Sequence, residues 1–179
     1  MKGVLFIDAE KCLGCKSCEI GCAVEHSQSK DLFMAILETP TPQSRVTVEI
    51  AGDVSVPLQC RHCEDAPCVA ICPTKAIEKL GTGEPVLIKE ELCIGCKWCI
   101  LVCPFGIIKL SRDGRVITKC DLCLERIEEE RNPACVESCP TGALQYKRID
   151  EITAEKRKET VRDFLVAFEK SKSQKKLKE

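Results

Sequence analysis

Cysteine, more than any other residue type, constrains what this chain can fold into. All sixteen cysteines fall into four groups of four, and none is left over. The groups are Cys12/Cys15/Cys18/Cys22, Cys60/Cys63/Cys68/Cys72, Cys93/Cys96/Cys99/Cys103 and Cys120/Cys123/Cys135/Cys139. Such a density of cysteine is typical of disulfide scaffolds, of zinc sites and of iron–sulfur clusters.

The amino-terminal residues bear on the disulfide alternative. The apolar run Val4–Ile7 ends at Asp8, which is too short for a secretory signal. No stretch approaches the 18 or so uncharged apolar residues that a membrane-spanning helix needs. We therefore expect a cytoplasmic protein without a membrane span, in a reducing compartment where disulfides are rare.

The spacing of the groups indicates an internal repeat. Groups one and three both read C-x2-C-x2-C-x3-C, whereas groups two and four widen one gap, to x4 and x11 respectively. Proline follows the last cysteine of groups two, three and four, at Pro73, Pro104 and Pro140. Each proline is expected to stop a short helix, after which two apolar residues return to cover the metal site.

The short x2 gaps favour a cubane over zinc. A [4Fe–4S] cluster offers four iron corners, and three closely spaced thiolates on one loop can reach three of them; this run is known from bacterial ferredoxins, where the fourth cysteine serves the other cluster. Gly14 and Gly95 fit a loop whose backbone passes close to a sulfide. Zinc takes two C-x2-C pairs per ion, and only group four alone would pass for such a site.

Composition excludes several other functions. The formal net charge is -1 and aromatic residues make up 4%, which argues against a nucleic-acid binder that relies on positive charge or base stacking. Four oxidised clusters of about -2 each would make the loaded protein acidic, so its partners should offer basic patches. Irons that are each ligated by cysteine leave no open coordination position for a substrate, and the sequence has no phosphate-binding loop or nucleophile motif. We therefore expect a non-catalytic electron-transfer subunit of an oxidoreductase complex. A zinc-binding module and a catalytic iron–sulfur enzyme are the alternatives.

The two histidines are expected to be structural. All four cysteines surround His62 in group two, whereas a Rieske site would replace two of them. His26 is interpreted as a structural or surface residue, and a role in proton transfer or in tuning a cluster is the alternative.

Between the groups, strand patterns are short. Alternation, turn residues and a hairpin signal predict strands at 45–50, 86–88, 107–110 and 116–118. The insertion from Ser27 to Pro57 is expected to be loop-like around Pro40 and Pro42. A C-terminal helix is predicted to start with Thr153 as its N-cap, with a disordered basic tail from Lys170.

The predicted C-terminal helix has one apolar face. Its members are Val161, Phe164, Leu165 and Phe168. This face is interpreted as packing on the rest of the chain, and docking of a partner is the alternative.

Four such motifs in this order resemble the four-cluster, ferredoxin-like electron-transfer subunits of formate dehydrogenases, dimethyl sulfoxide reductases, hydrogenases and carbon monoxide dehydrogenases. The resemblance covers about Gly3 to Gln145. It implies an α+β fold of tandem bacterial-ferredoxin-like units, with short β-hairpins and short helices around the clusters and a C-terminal helix. Residues 1–149 would form the four-cluster domain of two interleaved dicluster halves, pairing motifs one with four and two with three. Residues 150–179 would form the amphipathic helix and basic tail.

The same resemblance implies four [4Fe–4S] clusters and their ligands. The first implied set is Cys12, Cys15, Cys18 and Cys139, and the second is Cys120, Cys123, Cys135 and Cys22. The third implied set is Cys60, Cys63, Cys68 and Cys103, and the fourth is Cys93, Cys96, Cys99 and Cys72.

The run C18-E-I-G-C22-A-V-E-H-S27 is most similar to the iron–sulfur subunit of anaerobic carbon monoxide dehydrogenase. That likeness implies a relay from carbon monoxide dehydrogenase to a hydrogenase or to a flavin/NAD(P) oxidoreductase. Membrane-bound formate dehydrogenases of the family carry a C-terminal transmembrane helix on this subunit, whereas this chain has a charged helix there. A formate dehydrogenase or formate-hydrogenlyase-type complex is the alternative partner.

Overall fold

Short elements dominate the fold. The computed structural model describes residues 3–176, with side chains as far as residue 168. The strands are β1 Val4–Ile7, β2 Thr47–Ala51, β3 Val54–Leu58, β4 Ile77–Lys79, β5 Val86–Ile88, β6 Lys109–Leu110, β7 Ile117–Thr118 and β8 Leu144–Lys147. The helices are α1 Ser17–Glu25, α2 Leu32–Ala35, α3 Pro67–Ala70, α4 Trp98–Val102, α5 Leu124–Glu128, α6 Ala134–Glu137 and α7 Ile149–Lys176. Single 3₁₀ turns precede groups one and three, at Ala9–Lys11 and Glu90–Leu92.

The strands pair in twos. Strands β2 and β3, β4 and β5, and β6 and β7 form antiparallel pairs, and β1 pairs with β8. The predicted strand 86–88 coincides with β5, and the predicted hairpin over 107–118 is confirmed as β6–β7. The predicted strand 45–50 begins two residues late and runs through Ala51, so the turn there is confined to Gly52 and Asp53. These small helices and short antiparallel pairs make up a mixed α/β fold.

The two short-gap groups share one local conformation. Gly14 and Gly95 both have φ near +66°, with values of 67° and 65°. Lys16 and Lys97 also adopt the left-handed region, and each directly precedes the helix that carries the third cysteine of its group. The same sequence spacing therefore gives the same backbone path twice.

The apolar returns after the prolines form the core. Ala76 and Ile77, Ile107 and Ile108, and Ala143 and Leu144 are all at most 5% exposed. One cluster of buried side chains contains Ile77, Val86, Cys99, Ile108 and Ile117. This confirms the prediction that the backbone turns after each proline and brings two apolar residues over the cysteine groups.

The insertion between groups one and two is not wholly loop. It contains helix α2, whose first turn is capped by Asp31: Oδ1 accepts from the backbone N–H groups of Phe33 and Met34, each at 3.0 Å. A cis peptide bond joins Thr39 and Pro40. The loop-like middle predicted from Pro40 and Pro42 is confirmed, since no helix or strand lies between α2 and β2.

The chain divides into two compact units, one of residues 6–146 and one that includes residues 3–5 and 147–176. In the second unit, α7 begins at Ile149, so Thr153 lies inside the helix and the predicted N-cap is wrong. The backbone N–H of Arg148 donates to Glu151 at 3.1 Å, as in one half of a capping box, and Thr153 Oγ1 donates to the Asp150 carbonyl.

Helix α7 continues to Lys176, over most of the basic tail that was predicted to be disordered; residues 177–179 lie outside the described part of the sequence. The four side chains of the predicted apolar face are each more than half exposed. No helix among the described residues is long and apolar enough to cross a membrane.

Candidate metal centres

The sixteen cysteines are all unpaired by disulfides. Six of them are buried, namely Cys18, Cys22, Cys99, Cys120, Cys123 and Cys135, while Cys15 and Cys96 are exposed. The two exposed thiols occupy matching places in groups one and three. The structure thus contains no disulfide scaffold, and its thiols are available as metal ligands.

The last cysteine of group four lies beside group one. Burial raises the pKa of Cys18 to about 11, and the negative charges of Cys139 and Cys15 add to the rise. The charge of Cys139 also acts on Cys15. Three of the four ligands predicted for this site are therefore brought together by α1 and the turn after α6.

The last cysteine of group one lies beside the rest of group four. Burial raises the pKa of Cys123 to about 12, and the charge of Cys22 contributes to the increase. Burial also raises the pKa of Cys120 and of Cys135, and the charge of Cys22 again acts in both cases. The charge of Cys18, which is predicted for the first site, also acts on Cys135, so groups one and four are neighbours while the division of their thiols between two sites stays a prediction.

Groups two and three meet in the same reciprocal way. Burial raises the pKa of Cys68, and the charges of Cys60 and Cys103 add to it. On the other side, one small cavity is lined by all four cysteines of the fourth predicted set, Cys72, Cys93, Cys96 and Cys99. A cavity walled by four thiols and by apolar side chains fits a cubane, whose irons each take one thiolate.

Two of the predicted ligands, Cys63 and Cys12, are not joined to their sets by these interactions. Cys63 was predicted to share a site with Cys60, Cys68 and Cys103, but it is not among the thiols whose charges act on Cys68. Its side chain is half-buried, as is that of Cys12 in group one. The roles of Cys63 and Cys12 stay predictions, which rest on the x2 spacing within their groups.

Backbone N–H groups point at several sulfur atoms. The N–H of His62 donates to Cys60 Sγ at 3.4 Å, and the N–H of Leu122 donates to Cys120 Sγ at the same distance. Both donor residues have left-handed φ, at 48° and 64°. The N–H of Arg45 donates to Cys22 Sγ at 3.2 Å. Such donors favour an anionic sulfur, as a metal-bound thiolate requires.

Gly14 and Gly95 are required for a reason that the sequence did not indicate, namely the lack of space for a side chain. At Gly95 a Cβ atom would lie 2.3 Å from the carbonyl oxygen of Arg115, and at Gly14 it would lie 2.8 Å from Ser55 Oγ. The glycines were predicted for a close approach of backbone to sulfide. In the structure a neighbouring hairpin fills the space beside each glycine, and left-handed φ adds a second requirement.

A charged network supports the thiol of Cys22. His26 Nδ1 lies 2.7 Å from the Cys22 carbonyl, and its Nε2 lies 3.2 Å from Asp121 Oδ1. Burial opposes the charge on this ring, yet the hydrogen bonds to Asp121 and Cys22 raise the pKa of His26 to about 10. Arg45 Nη1 holds the other carboxylate oxygen of Asp121 at 2.5 Å. His26 therefore belongs to a network built around a predicted ligand, which fits the alternative role in tuning a cluster as well as the structural role.

Several charged residues that contact the cysteine groups or pack between them were not predicted from the sequence. Asp121 and Lys119 flank Cys120, and their position beside a predicted ligand was the available signal. Arg45 lies 23 residues from Cys22, in the insertion, where no spacing rule points to it. Arg126 is buried although it is an arginine, and its two ion pairs together with its hydrogen bond to the Asn132 carbonyl explain that burial.

A model of the 4Fe-4S dicluster domain matches residues 53–149, which is more than half of the chain. The chain is a member of this family. Among similar dicluster proteins is the electron transport protein HydN of Escherichia coli, with 36% identity over 89% of this chain and 98% of HydN.

Two further relatives are an iron–sulfur protein and a subunit of a reductase. The iron–sulfur protein of Rhodospirillum rubrum is 40% identical over 82% of this chain and 83% of its own length. The B subunit of the anaerobic dimethyl sulfoxide reductase of Escherichia coli is 36% identical over 82% of this chain and 74% of its own length.

Proposed function

We propose that this chain is a non-catalytic electron-transfer subunit that carries four [4Fe–4S] clusters. The observation that carries the proposal is the packing of α1, which bears Cys18 and Cys22 of group one, against α6, which bears Cys135 of group four. The proposed ligands are the four sets implied by the sequence, and they make two interleaved dicluster halves. Membership of the dicluster family and relatives named as electron transport proteins support it.

The bound clusters supply one-electron transfer, and the protein supplies their environment. Apolar returns such as Ile77 and Leu144 keep water away from the sites, and N–H donors such as those of His62 and Leu122 stabilise the thiolate sulfurs. Dryness and hydrogen bonds to sulfur are the levers by which a protein sets cluster potentials. With one cysteine for each iron, no coordination position is left for a substrate.

Electrons would enter and leave at the two exposed ligand loops. Cys15 and Cys96 are exposed, whereas the thiols of group four are mostly buried. The loops that carry them also expose Leu13 and Ile94, at 74% and 66%. The sites nearest these loops are therefore proposed as the two ends of the relay, and the other two sites as its middle.

The partner is proposed to be a catalytic oxidoreductase in the cytoplasm. The run from Cys18 to Ser27 favours an anaerobic carbon monoxide dehydrogenase, with a hydrogenase or a flavin/NAD(P) oxidoreductase as acceptor. The similarity to HydN gives weight to the alternative, a formate dehydrogenase or formate-hydrogenlyase-type complex.

The test is purification without oxygen, followed by measurement of iron and acid-labile sulfide per chain. Four cubanes require about sixteen of each. Zinc without sulfide would overturn the proposal in favour of a zinc-binding module. Purified carbon monoxide dehydrogenase with carbon monoxide, compared with a formate dehydrogenase and formate, is then tested for reduction of the loaded protein, which decides between the two partners.

A further inference from the structure

Lys119 is a buried lysine without a carboxylate partner. It directly precedes Cys120 and is 3% exposed. Its ammonium group donates to two carbonyl oxygens, those of Val86 and, at 2.9 Å, of Cys120. Among the residues that the structure describes, no carboxylate forms an ion pair with it. A buried charge without a counter-charge is costly, so something else must compensate it.

The peptide of Val86 joins this lysine to group two. Its carbonyl accepts from Lys119, while its N–H donates to Nδ1 of His62 at 3.1 Å. An imidazole is either neutral or positive, so His62 supplies no counter-charge to the ammonium group. Lys119 lies between His62 of group two and Cys120 of group four.

The hydrogen bonds of Lys119 place its charge beside both groups. Its ammonium donates to the carbonyl of Cys120 in group four, and the peptide of Val86 joins it to His62, which lies inside group two. Groups two and four belong to different proposed halves. The missing counter-charge is thus available from the thiolate-ligated sites on both sides of the lysine.

The internal repeat allows the charge of Lys119 to be distinguished from its contribution to the fold, because group two has a neutral residue at the equivalent position. Gln59 holds the equivalent place before Cys60 and is also buried, at 2% exposure. A neutral side chain therefore suffices to build this turn of the ligand loop. Of the two wide-gap groups, only group four is preceded by a positive charge, and the lysine before group one, Lys11, is exposed, which points to a role for the buried charge itself.

We propose that Lys119 is a charge-compensating residue that favours the reduced state of the two clusters on either side of it. These are the clusters proposed for Cys60, Cys63, Cys68 and Cys103 and for Cys22, Cys120, Cys123 and Cys135. The inference rests on the proposed function. When one electron crosses between these sites, one cluster is oxidised and the other is reduced, and the negative charge stays beside the same ammonium. Lys119 therefore helps to carry electrons from one half to the other.

The experiment is an anaerobic redox titration of the full chain, followed by electron paramagnetic resonance, with iron counted in the same samples. The variants are Lys119→Gln, which copies Gln59, and Lys119→Met, which keeps the length of the side chain. Two of the four clusters should become harder to reduce, with at least a tenfold fall in the reduced-to-oxidised ratio at a given potential, which is about 59 mV for one electron. Lys89→Gln removes an exposed charge, which solvent screens, and should leave all four potentials unchanged.

The outcomes separate this inference from the proposed function. Neutral variants with full iron content and unchanged potentials would overturn the role of Lys119 and leave the electron-transfer proposal standing. Loss of clusters in both neutral variants would also overturn it, because the lysine would then serve assembly. A wild-type chain without iron and sulfide would overturn the proposed function, and the inference with it.

Discussion

The guanidinium of Arg126 lies 2.5 Å from the carboxylate of Glu25, which is 101 residues earlier in the chain. Its other arm contacts Glu137, and its Nε donates to the Asn132 carbonyl at 2.8 Å. The arginine side chain is 7% exposed and that of Glu25 is 15% exposed. The last turn of α1, which follows Cys22, is thereby tied to α5, which carries Arg126, and to α6, which carries Cys135.

Replacing Arg126 with methionine should destabilise the loaded protein by about 2 kcal/mol, because the largely buried carboxylate of Glu25 loses its nearest cation and keeps only the half-exposed Lys30, 3.4 Å away. Anaerobic denaturant unfolding of the loaded chain measures the loss. Arg131→Met is the matched control, since its ion pair with Glu129 is exposed on both sides and should contribute less than about 1 kcal/mol. Equal effects of the two substitutions would contradict a role for burial.

Gly21 should not tolerate alanine, although alanine is the better helix former. A Cβ atom there would lie 1.9 Å from Ser138 Oγ and 2.7 Å from Ser138 Cβ, where α1 packs against the end of α6. Overpacking of this kind costs about 1–3 kcal/mol, which outweighs the gain of about 1 kcal/mol in helix propensity.

The second variant for this contact is Gly21→Ala combined with Ser138→Gly. It removes the clash and should recover most of the lost melting temperature. A double variant no more stable than Gly21→Ala would show that the contact with Ser138 is not the cause.

Alanine should be more harmful at Gly95 than at Gly14, although the two glycines have nearly the same φ. At Gly95 the obstacle is a backbone oxygen of Arg115, whereas at Gly14 it is the hydroxyl of Ser55, which can rotate away. We expect Gly95→Ala to lose iron from one cluster, and Gly14→Ala to keep its iron with a lower melting temperature. Gly52→Ala, with φ +59° and open space around it, measures the backbone cost alone, about 1–2 kcal/mol. Equal iron loss at positions 14 and 95 would count against the hairpin contact.

The reciprocal ligand sets predict how iron falls in paired variants. Cys12→Ala with Cys22→Ala should remove two clusters and leave about eight irons, because the two cysteines serve different sites. Cys22→Ala with Cys123→Ala should remove one cluster and leave about twelve, because they serve the same site. If group one held its own cluster, the two results would be exchanged.

The cysteine pattern predicted much of the fold because ligand spacing dictates local backbone. The matching φ values at Gly14 and Gly95, the strand at Val86–Ile88 and the buried pair Ala143 and Leu144 all follow from features visible in the sequence. Each depends on residues close together in the chain, where spacing and turn chemistry decide.

The long-range charges could not be predicted in the same way. Arg45 reaches Asp121 across 76 residues, and Arg126 reaches Glu25 across 101. Charged residues are exposed by default, so neither the burial of Arg126 nor that of Lys119 was expected. The start of α7 was missed for a related reason, since Glu151 caps the helix by reaching back to Arg148, ahead of the threonine that carried the expected cap.

Helix α1 packs against α6, and α3 packs against α4, so along the chain the second pair lies between the two members of the first. This order has a consequence for folding during synthesis. Synthesis runs from the amino terminus, so α3 and α4 meet soon after they leave the ribosome. Helix α1 is synthesised first and must wait for Ala134–Glu137 before its partner exists. The inner pair is therefore expected to close first and the outer pair last. A chain cut short before Ala134 would keep a complete inner pair while α1 remained without its partner.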